Sequence, residues 1–184
     1  RNGMPPGRKA RSLRVAVNDS PITVQDRLQG TLQHSLHEQT GDFVVRRADK
    51  LVAYQLAVVV DDAEQGITHV VRGADLLDST PRQVYLQQLL GYTQPEYIHL
   101  PVATNLAGEK LSKQTRARHI ETDDPVVTLC GALDFLRQPL PEAPRMASLD
   151  ELWQWATAHW TPAAIPGQRS LPAPSAWLDD TAAT

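Results

Sequence analysis

A single cysteine, Cys130, stands in 184 residues. That excludes an internal disulfide and any zinc site built on two thiolates. An excess of one charge is also missing. With 18 Lys and Arg against 21 Asp and Glu, the net charge is -3, which argues against a protein that coats nucleic acid by bulk charge and leaves room for local basic patches. Long apolar runs are absent as well: the longest aliphatic stretch covers residues 56–60, against the roughly 20 residues of a membrane-spanning helix. No signal-peptide pattern opens the chain, and neither an internal repeat nor a long linker interrupts it. A reducing, cytoplasmic setting without membrane attachment is expected. Residues 1–7, Arg-Asn-Gly-Met-Pro-Pro-Gly, read as the interior of a loop, so the chain is expected to begin in mid-domain.

What is present suits a packed core, since hydrophobic residues make up 41% and charged residues 21%. Alternation at 13–17 predicts a half-buried strand. Short strands are expected within 24–36, with Gly30 as a turn or bulge, and again at 42–47. Residues 54–60 are aliphatic and β-branched without alternation, which predicts a strand buried on both faces. Asp61 and Asp62 then read as caps of a short helix ended by Gly66. A further buried strand is expected at 68–72. Thr80 is expected to cap a helix with Pro81 in its first turn, an apolar face of Val84, Leu86, Leu89 and Leu90, and a stop at Gly91. After a strand at 97–101 and a turn at 105–109 comes the polar segment 110–119. Helices are predicted over 125–136 and 149–160.

On the residues alone, several polar groups admit two readings. Arg72, following a hydrophobic strand, either presents its guanidinium to a ligand at a strand end or pairs with Asp75 or Asp78. Tyr54 either packs in the core or offers its hydroxyl to a ligand. Lys110, Ser112 and Lys113 form either a solvated loop or a phosphate-binding one. His99 has no second histidine at ligand spacing and reads as packing or hydrogen bonding. Trp153, Trp155 and Trp160 read as packing. Arg8, Lys9, Arg11, Arg14, Arg116 and Arg118 are surface charges able to meet RNA phosphates.

Four strings stand in order within residues 26–137, roughly three-fifths of the chain. They are Ala57-Val58-Val59-Val60-Asp61-Asp62, Thr68-His69-Val70-Val71-Arg72-Gly73-Ala74-Asp75, Thr80-Pro81-Arg82-Gln83 and Lys110-Leu111-Ser112-Lys113-Gln114. Together they resemble the second half of the catalytic domain of class I glutamyl-tRNA synthetases. The resemblance implies an α/β fold, the second half of a Rossmann-type domain with an inserted β-rich segment and a small helical carboxy-terminal part. In that reading residues 1–40 end the inserted segment, 41–122 complete the Rossmann-type domain, and 123–184 are the helical part.

The resemblance also implies substrates and roles. Lys113, assisted by Lys110 and Ser112, would meet the phosphates of ATP, supplied with Mg2+, while Gly108 hinges the loop. Tyr54 and Arg72 would hold L-glutamate. The histidine signature of class I enzymes and the zinc-binding cysteines of some members do not occur here. No metal is expected in this chain, and any Zn2+ would belong upstream of Arg1. The chain is therefore expected to be the second part of a longer polypeptide, with this part inactive alone. Fewer than fifty residues follow the helix at 125–136, too few for the large anticodon-binding region of a full-length synthetase. Gln114 and Gly73-Ala74-Asp75 also depart from the full-length pattern. These features resemble a truncated paralogue that activates glutamate with ATP and transfers it to the queuosine base in the anticodon of tRNA(Asp), and a monomer is expected. The alternatives are a core fragment of a glutamyl-tRNA synthetase and a non-catalytic RNA-binding module.

Overall fold

A computed structural model describes residues 11–112, 117, 120, 123–143 and 148–178. The chain divides into two units, Arg1–Val71 with Leu76–Ile98 and Arg72–Asp75 with His99–Thr184.

In the first unit, β1 (Leu13–Val15) pairs antiparallel with a later strand, β4 (Phe43–Arg46). Between them, β2 (Ile22–Asp26) and β3 (Gly30–His34) form an antiparallel hairpin. Its turn is held from one side chain: Asp26 Oδ1 accepts the backbone N–H of Leu28 at 2.9 Å and of Gln29 at 2.7 Å. Gly30 follows at φ 78, where a side chain would be strained. Alternation along β2 puts Ile22, Val24 and Asp26 inside. A short helix, α1 (Leu36–Gln39), is capped by Ser35 and buries Leu36.

The aliphatic run at 54–60 is not a strand. It is the start of α2 (Tyr54–Glu64), eleven residues long, with Gln65 as C-cap and Gly66 at φ 66. Only Val59 is fully buried, so the element covers one face, as an amphipathic helix does. Asp61 and Asp62 lie inside this helix and not at its start; its N-cap is Ala53, which makes no side-chain capping bond.

The next strand, β5 (His69–Gly73), is half exposed rather than buried, with Val71 57% accessible. A 3-10 turn over Ala74–Ser79 leads into α3 (Thr80–Leu90). Its cap is Ser79, one residue before the expected Thr80, and Pro81 sits in the first turn as predicted. Gly91 ends the helix in the left-handed conformation. Val84 and Leu86 are buried, but Leu89 and Leu90 are exposed; Thr80, Gln83 and Gln87 complete the buried face instead. Gln83 donates to Gln55 Oε1 at 2.8 Å and Gln87 to the Tyr97 hydroxyl at 3.0 Å. Hydrogen bonding by these side-chain N–H groups offsets their burial, although Gln87 Oε1 has no partner among the described residues.

Tyr97 belongs to β6 (Glu96–Leu100), which runs parallel to β2. The sheet order is β3-β2-β6-β5. The core of the unit joins Val24, Leu36, Phe43, Val59, Val84 and Tyr97. Each fully buried aliphatic side chain contributes about 1.5–3 kcal/mol.

In the second unit, β7 (Val102–Thr104) pairs with a strand far along the chain, β8 (Ser170–Pro172), in parallel register. Two helices pack beside each other. The first, α4 (Pro125–Phe135), starts at Asp124, whose carboxylate accepts the Val127 N–H at 3.1 Å. The second, α5 (Leu149–Ala158), opens with a full capping box between Ser148 and Glu151. Leu133, Leu152 and Ala156 form their core, with Val126, Leu129 and Cys130 against it. Val127, in the first turn of α4, is 41% exposed. Trp177 closes over Gly131 and lies 5.3 Å from the Phe135 ring. Trp155 stacks on His159, whereas Trp153 and Trp160 are exposed. Among the described residues no helix is long and apolar enough to cross a membrane.

Candidate active site

The chain between β7 and Ser112 is a tight hairpin built around one side chain. Asn105 Oδ1 accepts the N–H of Ala107 at 3.0 Å and of Glu109 at 2.9 Å, and Asn105 Nδ2 donates to Glu109 Oε2 at 3.0 Å. The backbone closes it further, Asn105 N–H to Glu109 O at 2.8 Å and Leu111 N–H to Ala103 O at 2.9 Å. Gly108, at φ 80, takes the left-handed turn position that a side chain would resist. Sequence chemistry explains the local fold: an Asx residue starts the turn and glycine completes it. The hairpin delivers Lys110, bridged across the ladder to Thr104.

Lys110 Nζ is paired with the carboxylate of Asp75. Asp75 in turn lies over Gly73: a Cβ at that position would stand 2.5 Å from Asp75 Oδ1 and 3.2 Å from Val102 Cγ1. Glycine at 73 is therefore a matter of space, and the sequence gives this only as part of the Arg72-Gly73-Ala74-Asp75 string.

Arg72, at the end of β5, donates from Nε to His99 Nε2 at 3.0 Å. His99 is completely buried on β6. A guanidinium N–H only donates, so this ring nitrogen accepts and the imidazole is neutral with its proton on Nδ1. The expectation of hydrogen bonding for His99 holds. Its partner could not be read from the sequence, where the two residues stand 27 apart.

Of the predicted site residues, Arg72, Lys110 and Ser112 all fall in the second unit, and Asp75 lies among them in sequence as the partner of Lys110. Tyr54 falls in the first unit, half exposed in the first turn of α2 rather than at the head of a strand. Lys113, Arg116 and Arg118 lie outside the described residues, as do Arg8 and Lys9. Two open depressions are lined elsewhere. One, in the first unit, contains Gln25, Asp26, Arg27 and Glu96; the other, in the second, contains Asp134, Phe135, Arg137 and the segment 171–174. Among the described residues no cluster of three or more His, Cys, Asp or Glu is arranged to hold a metal ion.

A family described as tRNA synthetases class I (E and Q), catalytic domain, matches residues 4–143. The chain belongs to this family. Curated relatives narrow the comparison: the chain is 54% identical over 175 residues to the glutamyl-Q tRNA(Asp) synthetase of Dechloromonas aromatica, covering 95% of this chain and 58% of that protein. Proteins of the same name from Aromatoleum aromaticum and Geobacter sulfurreducens are 52% and 47% identical, over 96% and 90% of this chain and 56% and 54% of their own lengths. The chain thus spans a little over half the length of these relatives. Among solved structures, a glutamate-tRNA synthetase from Elizabethkingia anophelis superposes with a TM-score of 0.67 at 20% identity, covering 90% of this chain and 37% of that one. A glutamate tRNA ligase from Elizabethkingia meningosepticum, solved in complex with its amino acid, gives 0.61 at 22% identity, over 85% and 35% of the two chains. At such identity the likeness is one of fold.

Proposed function

We propose that this chain forms the later part of a glutamyl-Q tRNA(Asp) synthetase. The complete polypeptide would activate L-glutamate with ATP and Mg2+ and transfer it to the queuosine base in the anticodon of tRNA(Asp). Identity of 46–55% to proteins of that name, over most of this chain, is the observation that carries the reading. In this reading residues 1–40 end an inserted segment, 41–122 complete the Rossmann-type domain, 123–184 form the carboxy-terminal part, and the protein works as a cytoplasmic monomer.

Activation joins a glutamate carboxylate oxygen to the α-phosphorus of ATP and expels pyrophosphate. Negative charge grows on the departing group, so a cation placed there lowers the barrier more than it tightens ground-state binding. Mg2+ would share that charge on the phosphate oxygens. Lys113 is assigned this role, with Lys110 and Ser112 beside it. The Asp75 pairing holds the Lys110 ammonium in a set place before ATP arrives. Arg72 and Tyr54 are assigned to glutamate. Because the Nε–H of Arg72 is directed to His99, a two-point grip on the substrate carboxylate would use the two terminal nitrogens of the fork.

The test is glutamate-dependent exchange of labelled pyrophosphate into ATP by the complete polypeptide. Exchange with glutamate, and none with glutamine or aspartate, is the expected result. No exchange with any amino acid would instead favour a non-catalytic RNA-binding module.

A further inference from the structure

We infer that His99 is a positioning residue for the amino-acid site, aiming the Arg72 guanidinium through the Nε–Nε2 hydrogen bond. The inference rests on the proposed glutamate role of Arg72 and adds a residue to it. Three observations carry it. His99 has no exposed surface, so it cannot meet a substrate itself. Its Nε2 lies 3.0 Å from Arg72 Nε, a good distance for an N–H donor. The donor is the one guanidinium nitrogen on the stem side of the fork, so the bond restrains rotation about the last side-chain torsions of Arg72.

An arginine side chain is long and rich in rotamers, and a ligand that must freeze it loses affinity to that ordering. An acceptor fixed in the sheet removes much of this cost in advance. Histidine suits the task for a further reason. Its accepting nitrogen stands at the far edge of a flat, rigid ring, whereas a carboxylate there would neutralise the cation that the substrate needs. A protonated His99 would set two cations side by side in a buried place, which favours the neutral ring.

The experiment has two arms, both on the complete polypeptide. Long-range proton–nitrogen NMR on the histidine rings reads the tautomer of His99 directly, assigned by loss of the signal in His99→Gln. The expected state carries the proton on Nδ1 with Nε2 bare; a proton on Nε2 would overturn the inference whatever the enzyme does. Pyrophosphate exchange supplies the second arm. His99→Leu should raise KM for glutamate about tenfold or more, as expected for loss of a bond to a charged donor, with KM for ATP within about twofold. His99→Gln, which keeps an acceptor, should recover most of that loss and also serves if the leucine variant folds poorly. Equal changes in both KM values, or no rescue by glutamine, would overturn the positioning role. If Arg72→Ala itself leaves KM for glutamate unchanged, the underlying glutamate assignment fails, and this inference with it.

Discussion

The ammonium of Lys110 is paired with the carboxylate of Asp75, so the hairpin leading into Ser112 is tied to the turn that follows Arg72. Both side chains are partly exposed, 50% and 35%. A pair so open to water contributes little to stability, about 0–1 kcal/mol. Its value lies in where it keeps the lysine. Asp75→Asn should therefore leave the unfolding free energy within about 1 kcal/mol of the parent while slowing pyrophosphate exchange several-fold. A large loss of stability with unchanged exchange would contradict this.

Gly73 lies beneath the same pair. Replacing it with alanine puts a methyl group 2.5 Å from Asp75 Oδ1, so the carboxylate must swing away from Lys110 or the backbone must shift. The expected cost is about 1–3 kcal/mol, typical of overpacking. In an Asp75→Ala background the same change should cost less, since the next contact, Val102 Cγ1, stands at 3.2 Å. Denaturant titration of the four proteins gives the coupling. Additive effects would show that Asp75 is not the obstacle.

Buried polar pairs make the opposite kind of prediction. The Gln87–Tyr97 hydrogen bond, 3.0 Å long, is buried at both ends. Tyr97→Phe leaves the glutamine N–H without that acceptor and should cost about 1–3 kcal/mol. Adding Gln87→Leu should recover part of the loss. Equilibrium unfolding decides, and an unaffected Tyr97→Phe protein would argue against the bond.

Much of this fold was legible in the sequence because its punctuation is strong. Gly30, Gly66, Gly91 and Gly108 all adopt the left-handed conformation that marks turns and helix ends. The failure at 54–60 has a physical cause. A short apolar run with three successive valines fits a buried strand as well as one face of a helix, and periodicity alone does not separate them. Continuation through Asp61, Asp62, Ala63 and Glu64 was the available signal, because eleven residues suit a helix better than a strand. Hydrophobicity assigns Leu89 and Leu90 to the core, yet the buried face of α3 includes Thr80, Gln83 and Gln87; Gln83 bonds to Gln55 and Gln87 to Tyr97, partners that the local pattern does not reveal. The site divides in the same way. Lys110 on a turn and Arg72 near a strand end were readable; the His99 contact and the space under Asp75 needed three dimensions.

Leu152 shows what holds the second unit together. It is completely buried between Leu133 and Ala156, so Leu152→Ala should cost about 2–5 kcal/mol. The expected readout is loss of helical signal and of Trp155 fluorescence structure at a lower denaturant concentration. Less than 1 kcal/mol, well under that range, would mean that the α4–α5 contact is not a core.

Acid should act on the start of α5. The Ser148 backbone N–H, then its hydroxyl, hydrogen-bond to the Glu151 carboxylate and hold its pKa below the usual glutamate value. A carboxyl that is more acidic when folded binds fewer protons there than in the unfolded chain. Its contribution is therefore present above the unfolded pKa and lost as pH falls through the folded one. His34, its pKa lowered mainly by burial, also favours the folded state only while neutral, at higher pH. Glu151→Gln should flatten the acid limb of helix stability measured by circular dichroism. An unchanged limb would remove Glu151 from the account.

The most direct test of the whole reading is where glutamate ends up. The complete polypeptide, given ATP, Mg2+ and labelled glutamate with tRNA(Asp) and tRNA(Glu), should place label on the queuosine nucleoside of tRNA(Asp), located by nuclease digestion and mass spectrometry. Label on the 3′-terminal adenosine of tRNA(Glu) would contradict it and identify a conventional charging enzyme.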